Sequence, residues 1–218
     1  MIYKTEELFD LSHTIAKSLL EKCEYPYMAL TKISGLIKEY SVSLDGSYRE
    51  ISDGVYAADD AIIWNGATII GPTIIGHKAE IRPGAFIRGC VIIGDEALIG
   101  NSTEVKNAII FDKAQLPHYN YVGDSIIGYQ AHMGAGSIAS NLRLDKEMIV
   151  LKDEDEAIES GLRKIGVFLG DHAEIGCGSV LCPGSIIGRG AMVYPLTTVR
   201  GSIPISSIYD GKSVKKMY

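Results

Sequence analysis

The sequence lacks any apolar run of the roughly 18 to 20 residues that a membrane-spanning helix requires. Its first residues, Met-Ile-Tyr-Lys-Thr-Glu-Glu, also lack the basic and then apolar pattern of a secretion signal. We therefore expect a cytoplasmic protein that does not associate with membranes.

Cysteine and positive charge are both scarce. The four cysteines, Cys23, Cys90, Cys177 and Cys182, form no CxxC pair and show no zinc-type spacing with histidine. This pattern indicates reduced thiols and no metal site. Lys and Arg total 21 against 27 for Asp and Glu, which gives a formal net charge of −6. Because nucleic-acid binding needs a basic surface, we expect no nucleic-acid partner.

A six-residue hydrophobic repeat is the main feature that is present. It consists of a large apolar anchor at every sixth position, usually followed four positions later by a small or β-branched residue such as Ala79 or Ala85. This period fits neither an α-helix nor an alternating strand, but it fits short strands joined by tight turns. The anchors are Ile63, Ile69, Ile75, Ile81, Ile87, Ile93, Ile99, Val105 and Phe111, then Leu169, Ile175, Leu181, Ile187, Val193 and Val199.

Three such segments close one triangular coil, and stacked coils share an aliphatic core. The repeat therefore predicts a mainly β protein, a parallel β-helix of six or seven coils over residues 51–206. The general strand-crossover rule favours right-handed winding, and nothing in the spacing overrides it.

Three segments lie outside the repeat. Residues 1–50 have apolar residues at helical spacing, and we expect an α-helical cap over one open end of the coil; a partner-binding helical pair is the alternative. The insertion 141–164 carries the acidic run 152–156, and it is either a solvated excursion or a loop that covers a site. Residues 207–218, with Lys212, Lys215 and Lys216, are expected to be a solvated tail.

No P-loop, GxGxxG turn or GxSxG elbow is present, and the most informative segment lies where the hexads lose phase, at residues 117–132. His118 stands there. Histidine is the one side chain whose unperturbed pKa lies near neutrality, which suits a general base; a hydrogen-bonded wall residue is the alternative.

Several motifs in residues 62–203 resemble a known family. They are Arg82-Pro83-Gly84-Ala85, Gly100-Asn101, Glu104-Val105-Lys106, His118-x-x-Tyr121-x-Gly123-Asp124, Gly134-Ala135-Gly136 and Asn141. In order and spacing they resemble the acetyltransferase domain of bifunctional N-acetylglucosamine-1-phosphate uridyltransferases. The segments at 141–145 and 161–164 look closer to archaeal sugar-1-phosphate nucleotidylyltransferase/acetyltransferases. The family's nucleotidyltransferase motif is not found, so uridyltransferase activity is not expected.

The resemblance implies a left-handed β-helix, a homotrimer, and transfer of an acetyl group from acetyl-CoA to the amine of glucosamine 1-phosphate or galactosamine 1-phosphate. No metal is implied. A separate nucleotidyltransferase partner is possible for a chain without that domain. Two alternatives stay open: an acyltransferase for another amino sugar or a nucleotide sugar, and a non-catalytic β-helix subunit of a nucleotidyltransferase complex.

The resemblance also implies roles for individual residues. His118 is the expected general base; Tyr121, which the motif places next to it, and Asn141 complete the predicted catalytic set. The sugar phosphate is expected to contact Arg82, Lys106, Tyr121 and Asn141, and CoA to contact Ala135, Gly136, Cys177 and Pro195.

The sequence departs from the family pattern at three places around this site. His132 replaces an asparagine, Leu142 replaces the bacterial tyrosine, and Glu147 stands where a lysine is usual. We expect His132 to contact substrate or to be a larger turn residue, and the adjacent Lys146 to replace the displaced lysine.

Overall fold

The computed structural model describes residues 2–153 and 156–217. The chain forms a β-solenoid of about eight turns with three sheet faces and few helices. The predicted class, a parallel β-helix of hexapeptide repeats with a helical N-terminal segment, is confirmed. Residues 154 and 155, in the acidic run, lie outside the described residues.

The first face begins with an antiparallel pair, and its later strands are all parallel. β10 and β12 bend around a corner, and their second halves belong to this face. Its strands are β1 (Tyr48–Ser52), β2 (Val55–Ala58), β5 (Thr73–Ile75), β8 (Val91–Ile93), β10 (Glu104–Ile110), β12 (Tyr121–Ile127), β17 (Val167–Leu169), β20 (Ser185–Ile187) and β23 (Ser202–Ile203).

The second face contains the first halves of β10 and β12, together with β4 (Thr68–Ile70), β7 (Phe86–Arg88), β14 (Ile138–Ala139), β19 (Val180–Leu181) and β22 (Thr198–Val199). The third face contains β3 (Ile62–Ile63), β6 (Glu80–Ile81), β9 (Leu98–Asn101), β11 (Gln115–His118), β13 (His132–Met133), β18 (Glu174–Ile175), β21 (Met192–Val193), β24 (Ser207–Tyr209) and β25 (Val214–Lys216).

The repeat anchors fill the interior of the solenoid. Ile81, Ile87, Ile93 and Ile99 are fully buried in one continuous aliphatic cluster. The small residues predicted beside them, such as Ala79 and Ala85, are buried in the same cluster, because only a short side chain fits between the anchors of adjoining faces.

Phe111 does not point inward as the six-residue step predicts. The chain turns in five residues instead of six between the buried anchors Val105 and Ile110, and again between Val122 and Ile127. Ile110 therefore takes the inward position, and Phe111 packs outside against Phe9, with ring centroids 5.2 Å apart.

The N-terminal segment covers the first face, and not an open end of the coil as expected. Its helices are α1 (Thr5–Leu8), α2 (Lys17–Leu20) and α3 (Ile33–Ser41), with 3-10 turns at Leu11–His13 and Pro26–Ala29. Their apolar residues pack on the outward side chains of this face, among them Ile92, Ile109 and Phe168. Buried side chains on both sides of these strands need a cover, and the N-terminal segment supplies it.

The insertion and the C-terminal residues are both ordered. The insertion forms the antiparallel hairpin β15 (Val150–Lys152) and β16 (Ala157–Glu159), and Ile149 and Leu151 are buried against the N-terminal segment. Residues 207–216 continue the third face as β24 and close it with the antiparallel β25. Residues 211–216, among them Lys212, Lys215 and Lys216, are exposed as expected of a solvated tail, but they are ordered by the pairing of β24 with β25.

Candidate active site

His118 stands on the corner where the third face turns into the second. Backbone hydrogen bonds link this corner from coil to coil: Gly136 N–H donates to His118 O, and Gly178 N–H to Ala135 O, each at 2.9 Å. Leu196 N–H donates to Cys177 O in the same way, also at 2.9 Å. His118 and the predicted CoA contacts Ala135, Cys177 and Pro195 therefore follow one another along a single exposed corner, which we call the site corner.

Glycines allow the coils to approach closely beside the site corner. A Cβ on Gly100 would stand 1.6 Å from the carbonyl oxygen of Pro117, and one on Gly134 would stand 2.7 Å from the backbone nitrogen of Cys177. Any side chain at these positions would force the coils apart. Glycine at both positions therefore leaves only backbone atoms next to His118.

The backbone below His118 is fixed by a buried amide. His118 N–H donates to Oδ1 of Asn120 at 3.1 Å, and Nδ2 of Asn120 donates to Gly134 O at 2.9 Å and to Ser137 Oγ at 3.0 Å. The His118 side chain is exposed, and within the described residues its imidazole nitrogens have no hydrogen-bond partner. Both ring nitrogens are thus available to a ligand.

Tyr121 and Asn141 meet over Gly123 on the second face. A Cβ at Gly123 would lie 2.6 Å from both the Tyr121 hydroxyl and Nδ2 of Asn141. Burial raises the pKa of Tyr121, and the charges of Glu104 and Asp124 add to that rise, so the phenol stays protonated at neutral pH. Lys106 pairs with Gly123 across the strands, so its backbone lies beside Tyr121 and Asn141.

A buried carboxylate holds Asn141 in place. Asp124 is 6 % exposed, and its two oxygens accept hydrogen bonds from Nδ2 of Asn107 at 2.8 Å and from Nδ2 of Asn141 at 2.5 Å. Asn107 and Asp124 sit at the two five-residue corners, with φ of 46° and 50°. The shortened corners are therefore the place where this network forms.

Arg163 and Lys164 are cations of this region that sequence reasoning did not assign. Lys164 forms a bridge with Leu142, and Ile165 N–H donates to Asn141 O at 3.1 Å, so the end of the insertion returns to Asn141. Both cations line a cavity of about 520 Å³ together with Asn107 and Asp124. The restart of the repeat after residue 164 indicated that the insertion returns to the solenoid, but not that it returns to Asn141.

Arg82 lies near the site corner but on the third face. Its Nε and Nη2 donate to the two carboxylate oxygens of Glu80, at 3.1 Å and 3.3 Å. Hydrogen bonding to Arg82 is the largest cause that lowers the pKa of Glu80. Arg82 and Lys106 are thus on different faces of one chain.

His132 and Lys146 are not brought to the site corner. His132 pairs with Gln115, which precedes His118 by about 10 Å along the strand. Its Nδ1 lies 2.9 Å from Oε2 of Glu174, among polar residues on the third face. Lys146 is exposed in the insertion, where its N–H donates to Arg143 O.

A second cavity, also of about 520 Å³, lies under the insertion and not at the site corner. It is lined by Leu142, Val180, Cys182 and Arg200 among others, at the opposite edge of the second face from His118. Because the two cavities have the same volume, we locate the candidate site by the site corner and by the hydrogen bonds around Asp124.

No group of three or more His, Cys, Asp or Glu side chains is placed to hold a metal ion within residues 2–153 and 156–217. No helix in that part of the chain is long and apolar enough to cross a membrane.

Comparison with known proteins places the chain in a class. Residues 69–156 match the model of the GMPPB C-terminal domain. The chain is 36 % identical over 154 residues to the bifunctional sugar-1-phosphate nucleotidylyltransferase/acetyltransferase of Sulfurisphaera tokodaii, covering 71 % of this chain and 38 % of the relative. It is 35 % identical over 224 residues to the bifunctional protein GlmU of Methanococcus vannielii, covering 88 % and 54 %.

A third relative is covered more completely. The uncharacterized acetyltransferase YaiX of Escherichia coli O6:K15:H31 is 34 % identical over 163 residues, which cover 75 % of this chain and 69 % of the relative. The solenoid and these matches define a hexapeptide-repeat protein. The chain belongs to the hexapeptide-repeat acetyltransferases, a membership that supports the left-handed winding. It spans from under two fifths to about half the length of the bifunctional relatives.

Proposed function

We propose that the protein transfers the acetyl group of acetyl-CoA to the amine of an amino sugar that carries a phosphate on C1. The simplest such acceptors are glucosamine 1-phosphate and galactosamine 1-phosphate. The observation that carries the proposal is the position of His118 on the same exposed corner as Ala135, Cys177 and Pro195. The Sulfurisphaera tokodaii relative, a bifunctional sugar-1-phosphate nucleotidylyltransferase/acetyltransferase, supports it.

His118 is the proposed general base. The amine nitrogen attacks the thioester carbonyl and forms the new N–C bond, while the neutral imidazole removes a proton from that nitrogen. The C–S bond of the thioester then breaks. CoA leaves as a thiolate, which recovers a proton from the imidazolium. The backbone at Ala135 and Gly136 lies one coil from His118, where the thioester is proposed to bind.

The acceptor is proposed to bind across the second face. Tyr121 and Asn141 present a phenol and an amide to the sugar hydroxyls, and Gly123 leaves the space for both. Lys106, Arg163 and Lys164 supply positive charge to the phosphate, and within the described residues none of the three has an ion-pair partner. A protein of net charge −6 therefore still offers a local basic site.

A homotrimer is part of the proposal. Arg82 lies on the third face and Lys106 on the second, so one chain does not present both to one small phosphate. A site formed between the second face of one subunit and the third face of another would bring them together, and the first face stays covered by its own N-terminal segment. A cytoplasmic location fits the use of acetyl-CoA.

The test is release of free CoA thiol from acetyl-CoA in the presence of each hexosamine 1-phosphate. We expect release that requires the sugar and that falls by about 10²- to 10⁴-fold in His118→Ala. His172→Ala is the matched control, because His172 is exposed on a different corner. If His118→Ala transfers acetyl groups as fast as the unmodified protein, the assignment of the base is wrong.

A non-catalytic subunit of a nucleotidyltransferase complex is the second candidate. The bifunctional relative of Sulfurisphaera tokodaii, a sugar-1-phosphate nucleotidylyltransferase/acetyltransferase, supports it, because its name joins the two activities. Release of CoA thiol with any amino sugar acceptor excludes it.

A further inference from the structure

Trp64 is the single tryptophan of the sequence, and it is held in an exposed position at the third face. Half of its side chain is open to solvent, with a relative exposure of 51 %. The indole N–H donates to Oε1 of Glu80 on the next coil at 3.0 Å. The ring is therefore fixed at its polar edge, while much of its apolar surface faces solvent.

Arg82 is bound to the same carboxylate. It uses two N–H donors for Glu80, at 3.1 Å and 3.3 Å, out of the five that a guanidinium carries. The remaining donors are available to a ligand, and the pairing holds the guanidinium plane. Trp64, Glu80 and Arg82 thus form one pre-organised unit, which we call the Trp–Glu–Arg cluster.

The cluster lies beside the site corner, on the side of His118 away from the predicted CoA contacts. The backbone N–H of Trp64 donates to Ile81 O, and the backbone N–H of Arg82 donates to Ile99 O. Trp64, Arg82 and Gly100 therefore follow one another on successive coils. Asn101 comes next to Gly100 and pairs with His118. With about 4.8 Å between strands, Arg82 lies about 10 Å and Trp64 about 14 Å from His118 along the solenoid axis.

We propose that the Trp–Glu–Arg cluster binds the nucleoside diphosphate part of the acceptor, so that the acceptor is a nucleoside-diphosphate amino sugar. A hexosamine 1-phosphate ends at its single phosphate and does not extend to Trp64. A nucleoside diphosphate adds a second phosphate, which Arg82 binds through paired donors, and a base that stacks on the indole. The proposal rests on the acetyl transfer described above: the amine gains the acetyl group, the thioester C–S bond breaks, and the diphosphate stays intact.

CoA contains a nucleoside diphosphate too, but it belongs at the other end of the corner. Cys177 and Pro195 lie on later coils than His118, whereas Trp64 lies on an earlier one. A donor that places its thioester beside His118 and runs past Cys177 extends away from Trp64. The Trp–Glu–Arg cluster therefore serves the acceptor.

The single tryptophan makes binding directly observable. UDP, GDP and dTDP are titrated against the intact protein while Trp64 fluorescence is followed, with pyrophosphate, ADP and CoA in parallel. We expect at least one of the first three to quench Trp64 at concentrations where pyrophosphate, ADP and CoA do not. If none of the three quenches the fluorescence, or if CoA quenches it at lower concentration, the proposal is overturned.

Variants of Trp64 and Ile62 distinguish stacking of a base on the indole ring from a contact between subunits. Trp64→Leu is expected to weaken the responding nucleotide by about tenfold by calorimetry, and Trp64→Phe to retain it, because the effect comes from a stacked ring. Ile62→Ala is the matched control, since Ile62 lies on the same strand with a similar exposure of 50 %. If Trp64→Leu leaves the nucleotide affinity unchanged, the proposal fails. It also fails if Trp64→Leu and Ile62→Ala both change the sedimenting mass, because Trp64 is then a subunit contact.

The acceptor assay distinguishes this proposal from the parent function. Acetyl transfer to a hexosamine 1-phosphate that UDP, GDP and dTDP do not inhibit overturns the nucleotide subsite and leaves the acetyltransferase standing. Acetyl transfer to a nucleotide-linked amino sugar, with a KM for that acceptor that rises at least tenfold in Trp64→Leu, supports both the acetyltransferase function and the nucleotide subsite.

Discussion

Nδ2 of Asn141 donates a hydrogen bond of 2.5 Å to Oδ2 of Asp124, a carboxylate that is almost fully buried. The other oxygen of Asp124 is occupied by Asn107. The carboxylate of Asp124, at one five-residue corner, thus binds Asn107 at the other corner and Asn141 at the start of the insertion. It orients the Asn141 amide, which the proposed acceptor would contact.

We predict that Asp124→Asn destabilises the protein by about 1–3 kcal/mol, because one amide N–H₂ must then face another buried donor. Urea unfolding measures this loss. KM for the acceptor should rise more than kcat falls, since Asn141 loses its orientation. An unchanged unfolding midpoint would contradict the role of this network.

Gly123→Ala should impair acceptor binding. The new Cβ would come within 2.6 Å of the Tyr121 hydroxyl and of Nδ2 of Asn141, so both side chains must move. We expect KM for the acceptor to rise at least tenfold while KM for acetyl-CoA stays unchanged.

Gly35→Ala is the matched control for this prediction. Gly35 lies inside α3, and a Cβ there has no atom within 4 Å. Because alanine favours a helix over glycine, stability should rise by about 0.5–1 kcal/mol without an effect on KM. If both variants raise KM, the effect of Gly123→Ala is not local.

Lys164→Gln tests the cation that returns to Asn141 at the end of the insertion. We expect KM for a phosphorylated acceptor to rise about tenfold or more, because a charge-assisted contact to phosphate is lost. Lys146→Gln, which alters an exposed lysine of the same insertion, should have a smaller effect. Equal losses in the two variants would point to long-range charge and not to a phosphate contact.

Asp112 predicts a pH dependence of stability. Burial raises the pKa of Asp112 from 3.8 to about 6. The folded protein thus binds a proton that the unfolded chain releases near pH 4, so this carboxyl group costs stability as pH rises from about 4 to 6 and adds no further change above.

The measurement compares Asp112→Asn with the unmodified protein in urea at pH 4, 5, 6 and 7. Asparagine can keep the hydrogen bond that Asp112 Oδ1 accepts from Asp95 N–H at 2.8 Å. The stability of the variant relative to the unmodified protein should rise between pH 4 and 6 and then level. A difference that is constant over this range would show that the carboxyl group titrates normally.

Phe111→Ala should cost about 3–5 kcal/mol, the usual loss for a buried phenylalanine. Phe111 is fully buried between the solenoid and Phe9 of the N-terminal segment. Thermal unfolding measures the loss. A small effect would mean that the segment contributes little to the fold.

The sequence by itself determined the solenoid, because each coil repeats the same local requirement: one large inward residue, one small one, and a tight turn. Ile81, Ile87 and Ile93 are buried as the step of six predicts. The family resemblance pointed to His118, Ala135, Cys177 and Pro195 as site residues, and the folded chain places the four on one corner.

Only the tertiary structure decided the register past Val105 and the place of the N-terminal segment. The five-residue corners at Asn107 and Asp124 depend on a left-handed backbone and on hydrogen bonds between residues 17 positions apart, which no local pattern records. The apolar spacing of residues 5–40 showed that a face is buried, but not which face of the solenoid receives it. Lys164 was missed for the same reason, because a long insertion returns to Asn141 only through contacts made in the folded chain.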